Sequence, residues 1–274
     1  MIHVFNHHAM ATFFQARIAT EDAGYAAQAA RAAFDEADRL ENLLSRFREH
    51  SEISALARLQ PGESLRLSEP TFACLAIAQE MERATRRAFS VAAAARRTQQ
   101  LLPVWALDAK TFSIRCGAGR LDFDLGAIGK GFAMDRMAAE LTEWDCPAFL
   151  LVAGGSSILA GEAPPDSAGW SVGLGEDNSE PRYLLKRCAL SGSGVAVKGQ
   201  HILDPRTGEP ARRKSRAWAV TLTAAESDAL STAAMVLAES ELEAVMSSRS
   251  EWLVLSAGDN GFVHWGNRAL LLEN

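Results

Sequence analysis

Cysteine is scarce in this 274-residue chain, and the four present stand far apart. Cys74, Cys116, Cys146 and Cys188 form neither a CxxC pair nor a Cys/His ligand spacing, which argues against a zinc site. Each sits beside apolar residues, as a small buried hydrophobe would. No apolar run approaches the ~20 residues that a membrane span requires. The N-terminal stretch MIHVFNHHAMATFF lacks a basic start followed by an apolar core, and it lacks a lipid-attachment cysteine. Those absences predict a cytoplasmic chain. An excess of positive charge is missing too: 28 Lys and Arg against 34 Asp and Glu leave a net charge of -6. This argues against nucleic acid as the main partner, because phosphate binding needs a basic surface. The local basic group of Arg212, Arg213, Lys214 and Arg216 reads as a solvated loop. There is no internal repeat, low-complexity tract or evident linker.

What is present is a globular composition, 48% hydrophobic and 23% charged. The length suits a single domain over 1–274, built as one unit or as two closely packed lobes. TFFQARI (12–18) alternates as an early strand, and the alanine-rich run from Thr20, a potential N-cap, to Phe47 has helical spacing. SEPTFACLAIAQEMERAT (68–85) predicts a second helix with Ser68 as cap and Pro70 in the first turn. Strands are expected near 111–115 and 120–125, then a helix over about 130–143. FLLVAGG (149–155), SSILAGE, WSVGLGE (170–176) and AWAVTLT (217–223) read as strands, ESDALSTAAMVLAES as a helix, and the tail as short strands. The irregular alternation, with hairpin-like pairs, predicts a mixed α/β or α+β domain rather than a doubly wound parallel sheet.

DLGAIGKGFAMD (124–135) is the glycine-dense stretch that carries a lysine. A P-loop needs GxxxxGK followed by Ser or Thr to hold Mg²⁺. Here Gly126 and Gly129 enclose only two residues, and Lys130 is followed by Gly131, so that reading fails. The dinucleotide pattern GxGxxG fails as well, since the order is GxxGxG. What remains is a glycine turn into a helix whose first amides can accept a pyrophosphate, with Lys130 as a point charge and Asp124 as an acceptor for a sugar or base edge. The same features serve an ordinary close strand–helix connection.

SDALSTA (227–233) places Asp228 and Thr232 four residues apart, on one face of a helix. A carboxylate and a hydroxyl suit a hard cation such as Mg²⁺. The alternative is that Ser227 and Asp228 merely cap the helix. HILDPRTGEP sets His201 beside a turn in which Asp204 and Pro205 fill the first positions and Gly208 closes. A histidine titrating near 6.5 can act as a general base, or it can be structural.

Taken in order, MATFF, LSRFREHSEISAL, DFDLGAIGKGFAMD, LVAGG, LSGSG, HILDPRTGEP and SDALSTA resemble the FAD:protein FMN transferase (ApbE) family, collinearly from about residue 10 to 240. The resemblance implies an ApbE-like α+β fold with mixed or antiparallel sheets packed against helices. It implies FAD as substrate, Mg²⁺ as cofactor, and transfer of FMN to a threonine of a partner flavoprotein with release of AMP. Hydrolysis of FAD to FMN and AMP, and FAD binding without catalysis, are the other activities such a chain can have. The implied metal ligands are Asp228, Thr232 and the main-chain carbonyl of Ala127. The implied FAD contacts are Met10, Phe47 (tyrosine in the usual pattern), Asp124, Lys130 and Leu203, with the segment Ser90, Val91 and Ala92. His201 is implied as the base for the acceptor hydroxyl. The chain departs from the family pattern at Ala11, where glycine is usual, at Ala57, where asparagine is usual, and at Ser90 and Ala92, which stand for an acid and a threonine. The resemblance thus implies an intact metal half and an altered nucleotide half.

Overall fold

The computed structural model describes residues 1–97, 102–174, 182–194, 202–258 and 261–273. A hairpin of β1 (Ile2–Ala9) and β2 (Thr12–Ala19) leads into the long helix α1 (Ala23–Leu44), a short α2 (Glu52–Leu56), β3 (Ser64–Arg66) and α3 (Glu69–Ala84). Next come β4 (Val104–Asp108), β5 (Ser113–Ala118), α4 (Gly129–Glu143), β6 (Phe149–Ala153) and β7 (Ser157–Ala160). β8 (Trp170–Gly173), β9 (Arg182–Leu185), β10 (Cys188–Gly194) and β11 (Arg216–Thr221) follow. α5 (Ala224–Val236), α6 (Glu239–Met246), β12 (Leu253–Gly258), β13 (Gly261–Gly266) and β14 (Leu272–Glu273) complete the chain.

Eight strands form one sheet in the order β1-β2-β6-β7-β10-β11-β12-β13, and every pairing in it is antiparallel. The period-two alternation of its strands divides the apolar residues between two layers. On β10, Ala189 joins the cluster shared with α1, α4 and α5, while Leu190 joins the cluster under the small sheet β14-β9-β8. α1 packs on α4, α4 on α5, and α5 on β10 and β11, so α4 and α5 lie together over the sheet. The expected α+β class with antiparallel sheets against helices is what the chain adopts.

Local chemistry explains most element boundaries. Asp22, not Thr20, caps α1: its carboxylate accepts from Tyr25 N at 3.0 Å. From there Ala26, Ala30, Ala33, Ala37, Leu40 and Leu44 bury one helical face. Ser68 precedes α3 as expected, but its hydroxyl donates to Glu52 and to Thr71 instead of capping a backbone amide. The strand expected at 120–125 is absent; these residues form an extended connection, pinned where Asp124 N donates to Val91 O at 2.7 Å. The strand expected near 111–115 runs instead over Ser113–Ala118. β1 has no counterpart among the expected strands. It lies at the edge of the sheet with an alternation of exposed and half-buried residues, which gives a weak hydropathic signal. Residues 197–201 lie outside the described residues; the turn expected after His201 is present, with Gly208 N donating to Asp204 O at 2.8 Å and Gly208 at φ +82°.

Candidate active site at the α4–α5 junction

Thr223 caps α5 by accepting from Glu226 N, which places Asp228 in the second turn and removes the capping explanation for it. The Asp228 side chain is only 4% exposed, and it points at the start of α4. Its Oδ2 accepts from Gly131 N at 2.9 Å and faces Lys130 Nζ at 3.5 Å. Its Oδ1 accepts from Ser157 Oγ on β7 at 2.6 Å. A buried carboxyl group needs hydrogen-bond partners in place of water, and these donors supply them.

The contact depends on how closely the helices approach. A Cβ on Gly131 would lie 2.1 Å from Ala224 O and 2.7 Å from Ala225 N, so only glycine fits there. One turn further along α4, Asp135 accepts from Ala224 N at 2.7 Å and from Ala225 N at 2.9 Å, satisfying the open amides at the start of α5. Burial pushes the Asp135 carboxyl up to about 7, against the two amides that draw it down. The lysine-glycine turn and the aspartate four residues later therefore clamp α5 onto α4.

Thr232 lies one turn beyond Asp228. Its hydroxyl donates to Asp228 O at 3.2 Å and meets Ser193 Oγ at 3.3 Å; Ser193 Oγ also meets Ser231 Oγ at 2.9 Å. Ala127 sits in the turn before α4. The first helical bond of α4 runs from Phe132 N to Ile128 O, and the amide of Gly131 goes to Asp228, so the Ala127 carbonyl stands outside the helical ladder. A carboxylate, a hydroxyl and a carbonyl form a hard oxygen donor set, which fits Mg²⁺. Among the described residues no three His, Cys, Asp or Glu gather as a softer or more heavily anionic metal site would need.

A second group surrounds Asp124. Its Oδ1 accepts from Gly126 N at 2.9 Å, and its Oδ2 accepts from Arg46 Nη1 at 3.0 Å. The Arg46 guanidinium carbon lies 5.3 Å from the centroid of the Phe47 ring, which is 87% exposed. Asp124, Arg46 and Phe47 thus form one surface group. Ser90, Val91 and Ala92 are buried: the Ser90 hydroxyl donates to Glu82 at 3.1 Å, and Val91 contributes its carbonyl to Asp124 N. Burial raises the Glu82 carboxyl, with Ser90 and Arg87 opposing it. Met10 and Ala11 form the two-residue turn between β1 and β2, at φ +50° and +55°. Leu203 is half-buried and bridges to Pro210 across the turn that follows His201. His201 itself lies outside the described residues.

Of the residues singled out from sequence, the fold brings Lys130 to Asp228, with Thr232 one turn beyond it on α5 and Ala127 in the turn that precedes α4. Phe47 and Asp124 meet through Arg46. The sequence alone points to no role for Ser157, Gly131, Asp135 or Arg46. For Gly131 and Asp135 the signal was in hand, since KGxxxD spaces them one helical turn apart. For Ser157 it was not, because its partner is distant in sequence.

This fold, an antiparallel sheet under two clamped helices, is that of known flavin transferases. The ApbE protein from Thermotoga maritima superposes with a TM-score of 0.81 at 21% identity, covering 98% of both chains. Flavin transferase ApbE from Vibrio cholerae gives 0.82 at 18% identity, again with 98% of each chain covered. The sequence model of the ApbE family matches residues 10–254, and the chain belongs to that family. Among curated relatives, two FAD:protein FMN transferases of Klebsiella pneumoniae (strain 342) are 29% identical over 117 residues (38% of this chain) and 25% identical over 161 residues (52% of this chain). One from Treponema pallidum (strain Nichols) is 27% identical over 146 residues, 46% of this chain. The matched segments span 35% to 45% of those relatives' lengths.

Proposed function

We propose that the chain is an FAD:protein FMN transferase, which cleaves the FAD pyrophosphate and attaches FMN to a threonine of a partner flavoprotein with release of AMP. The observation that carries this reading is the buried Asp228, held against the lysine-glycine turn in a chain of the ApbE family. Asp228, Thr232 and the Ala127 carbonyl would hold Mg²⁺, which when bound supplies charge neutralisation and Lewis-acid polarisation at the pyrophosphate.

The chain's own residues do the rest. Phosphoryl transfer asks a protein mainly for positioning and for electrostatic stabilisation. Lys130, already beside Asp228, adds a positive charge at the mouth of the turn. The exposed Phe47 ring offers a face for a planar ring of the dinucleotide, and Asp124 offers an acceptor next to it. Met10 and Leu203 complete the FAD contacts, while the Ser90–Ala92 backbone sets Asp124 in place. His201 takes the proton of the acceptor threonine as its oxygen bonds to the FMN phosphorus; the bond from that phosphorus to the bridging oxygen breaks, and AMP leaves. Among the described residues no helix is long and apolar enough to cross a membrane.

The test is to incubate the protein with FAD, Mg²⁺ and a domain carrying an acceptor threonine, following AMP and the acceptor's mass. A gain of one FMN per acceptor with AMP released is expected. AMP and free FMN without labelling would replace the transferase with an FAD pyrophosphatase, and bound FAD that never turns over would leave a binding protein.

A further inference from the structure

We propose that Ser157 is a positioning residue for Asp228: its hydroxyl fixes the carboxylate that the reading above makes a metal ligand, and the proposal rests on that reading. Ser157 is the first residue of β7, in a run, SILA, that is otherwise apolar, and it is 1% exposed. Its strand is flanked on both edges, with Ser157 opposite Ala153 of β6 and Ser191 of β10. A hydroxyl buried this deeply loses its water and needs a protein partner. The partner is Asp228 Oδ1, at 2.6 Å, a short charge-assisted bond.

The other donors to Asp228 cannot replace it. Gly131 N and Lys130 Nζ both address Oδ2, and both come from α4. Ser157 addresses the opposite oxygen from the sheet, so the carboxylate is gripped from two sides by separate elements. Without that hydroxyl, Oδ1 is left buried without its donor, and the carboxyl group is held from the α4 side alone. Outer contacts of this kind orient a ligand for its metal, and their loss typically weakens metal binding roughly 10- to 100-fold.

The fold supplies an internal control. Ser191 stands directly across from Ser157 on the neighbouring strand and is equally buried, at 1% exposure. Its hydroxyl has no hydrogen-bond partner among the described residues. Removing either hydroxyl makes the same change in the same layer, but only one of them touches Asp228.

The experiment compares wild type, Ser157→Ala, Ser157→Cys and Ser191→Ala by two measurements on the metal-free protein. Ser157→Cys preserves the side-chain volume with a weak donor, should the alanine variant fold poorly. The first measurement is Mn²⁺ affinity by electron paramagnetic resonance, with Mn²⁺ as the hard-cation probe. Both Ser157 variants are expected to bind roughly tenfold more weakly, while Ser191→Ala matches wild type. The second is the amide resonance of Gly131 in glycine-labelled protein, which reports the Asp228 carboxylate without any metal. It is expected to move in the Ser157 variants and to stay in Ser191→Ala. Unchanged Mn²⁺ affinity in the Ser157 variants, or equal losses in Ser191→Ala, overturns the proposal. Wild-type protein that binds no Mn²⁺ overturns the metal assignment itself, and the Gly131 resonance tells that failure from a Ser157 that does not hold Asp228.

Discussion

Gly131 of α4 and Ala224 of α5 approach so closely that a methyl group on Gly131 would lie 2.1 Å from the Ala224 carbonyl oxygen. The obstructing atoms are backbone, so no side-chain rotation relieves the clash. Gly131→Ala should force α5 away from α4, at a cost of about 3 kcal/mol or more, and pull Asp228 from the turn. A clearly lowered melting temperature together with lost FAD cleavage is expected; a wild-type melt would contradict the packing described.

The turn between β1 and β2 predicts a gain. Met10 and Ala11 both have positive φ, the conformation of a two-residue I′ hairpin turn, which favours glycine. Ala11→Gly relieves one left-handed residue and should stabilise the protein by about 1 kcal/mol. In a chain of this size that raises the melting temperature by about 2–4 °C. An unchanged or lower melting temperature would contradict a left-handed Ala11.

Asp135 predicts a pH dependence. Burial raises its carboxyl from 3.8 to about 7 in the folded protein. Between those values the folded state holds a proton that the unfolded chain has released, so stability falls as pH rises through this window. The contribution is full below 3.8 and lost above about 7. Glu82 and Glu226, also raised by burial, act in the same direction, so the comparison must be between wild type and Asp135→Asn. Denaturant melts from pH 4 to 7 should show a shallower decline for the variant; parallel curves would contradict the assignment.

Phe47 separates binding from folding. Its ring is 87% exposed, so Phe47→Ala should leave stability within about 0.5 kcal/mol. If the ring stacks on FAD, affinity for FAD falls roughly tenfold, in keeping with about 1–3 kcal/mol for aromatic stacking on a base. Titration of FAD fluorescence measures it, and unchanged affinity would remove Phe47 from the nucleotide site.

These residues also show how far the sequence could be read. The α+β class and most helices follow from periodicity, which is local, although Asp22 rather than Thr20 caps α1 and the Ser68 hydroxyl caps no backbone amide of α3. The joining of SDALSTA to the lysine-glycine loop did not follow from spacing, since about a hundred residues separate them; the order of motifs carried it. The 120–125 segment read as a strand because LDFDL alternates, yet it pairs with no neighbour and is held through the Val91 carbonyl instead. Ser157 was illegible for a related reason: a serine in a strand reads as neutral until the fold sets a carboxylate against it. Arg46 was hidden by its exposure, because a surface arginine is ordinary until Asp124 is seen to meet it from the other end of the loop connection.

The most direct test of the account is AMP release from FAD by wild type and by Asp228→Asn, with Mg²⁺ and an acceptor domain present. Asparagine preserves the shape of the side chain, removes its charge and replaces one acceptor oxygen with an NH₂ donor. Wild type is expected to release one AMP for each FMN attached, and the variant, still folded, to fall to background. Wild-type rates in Asp228→Asn would contradict it.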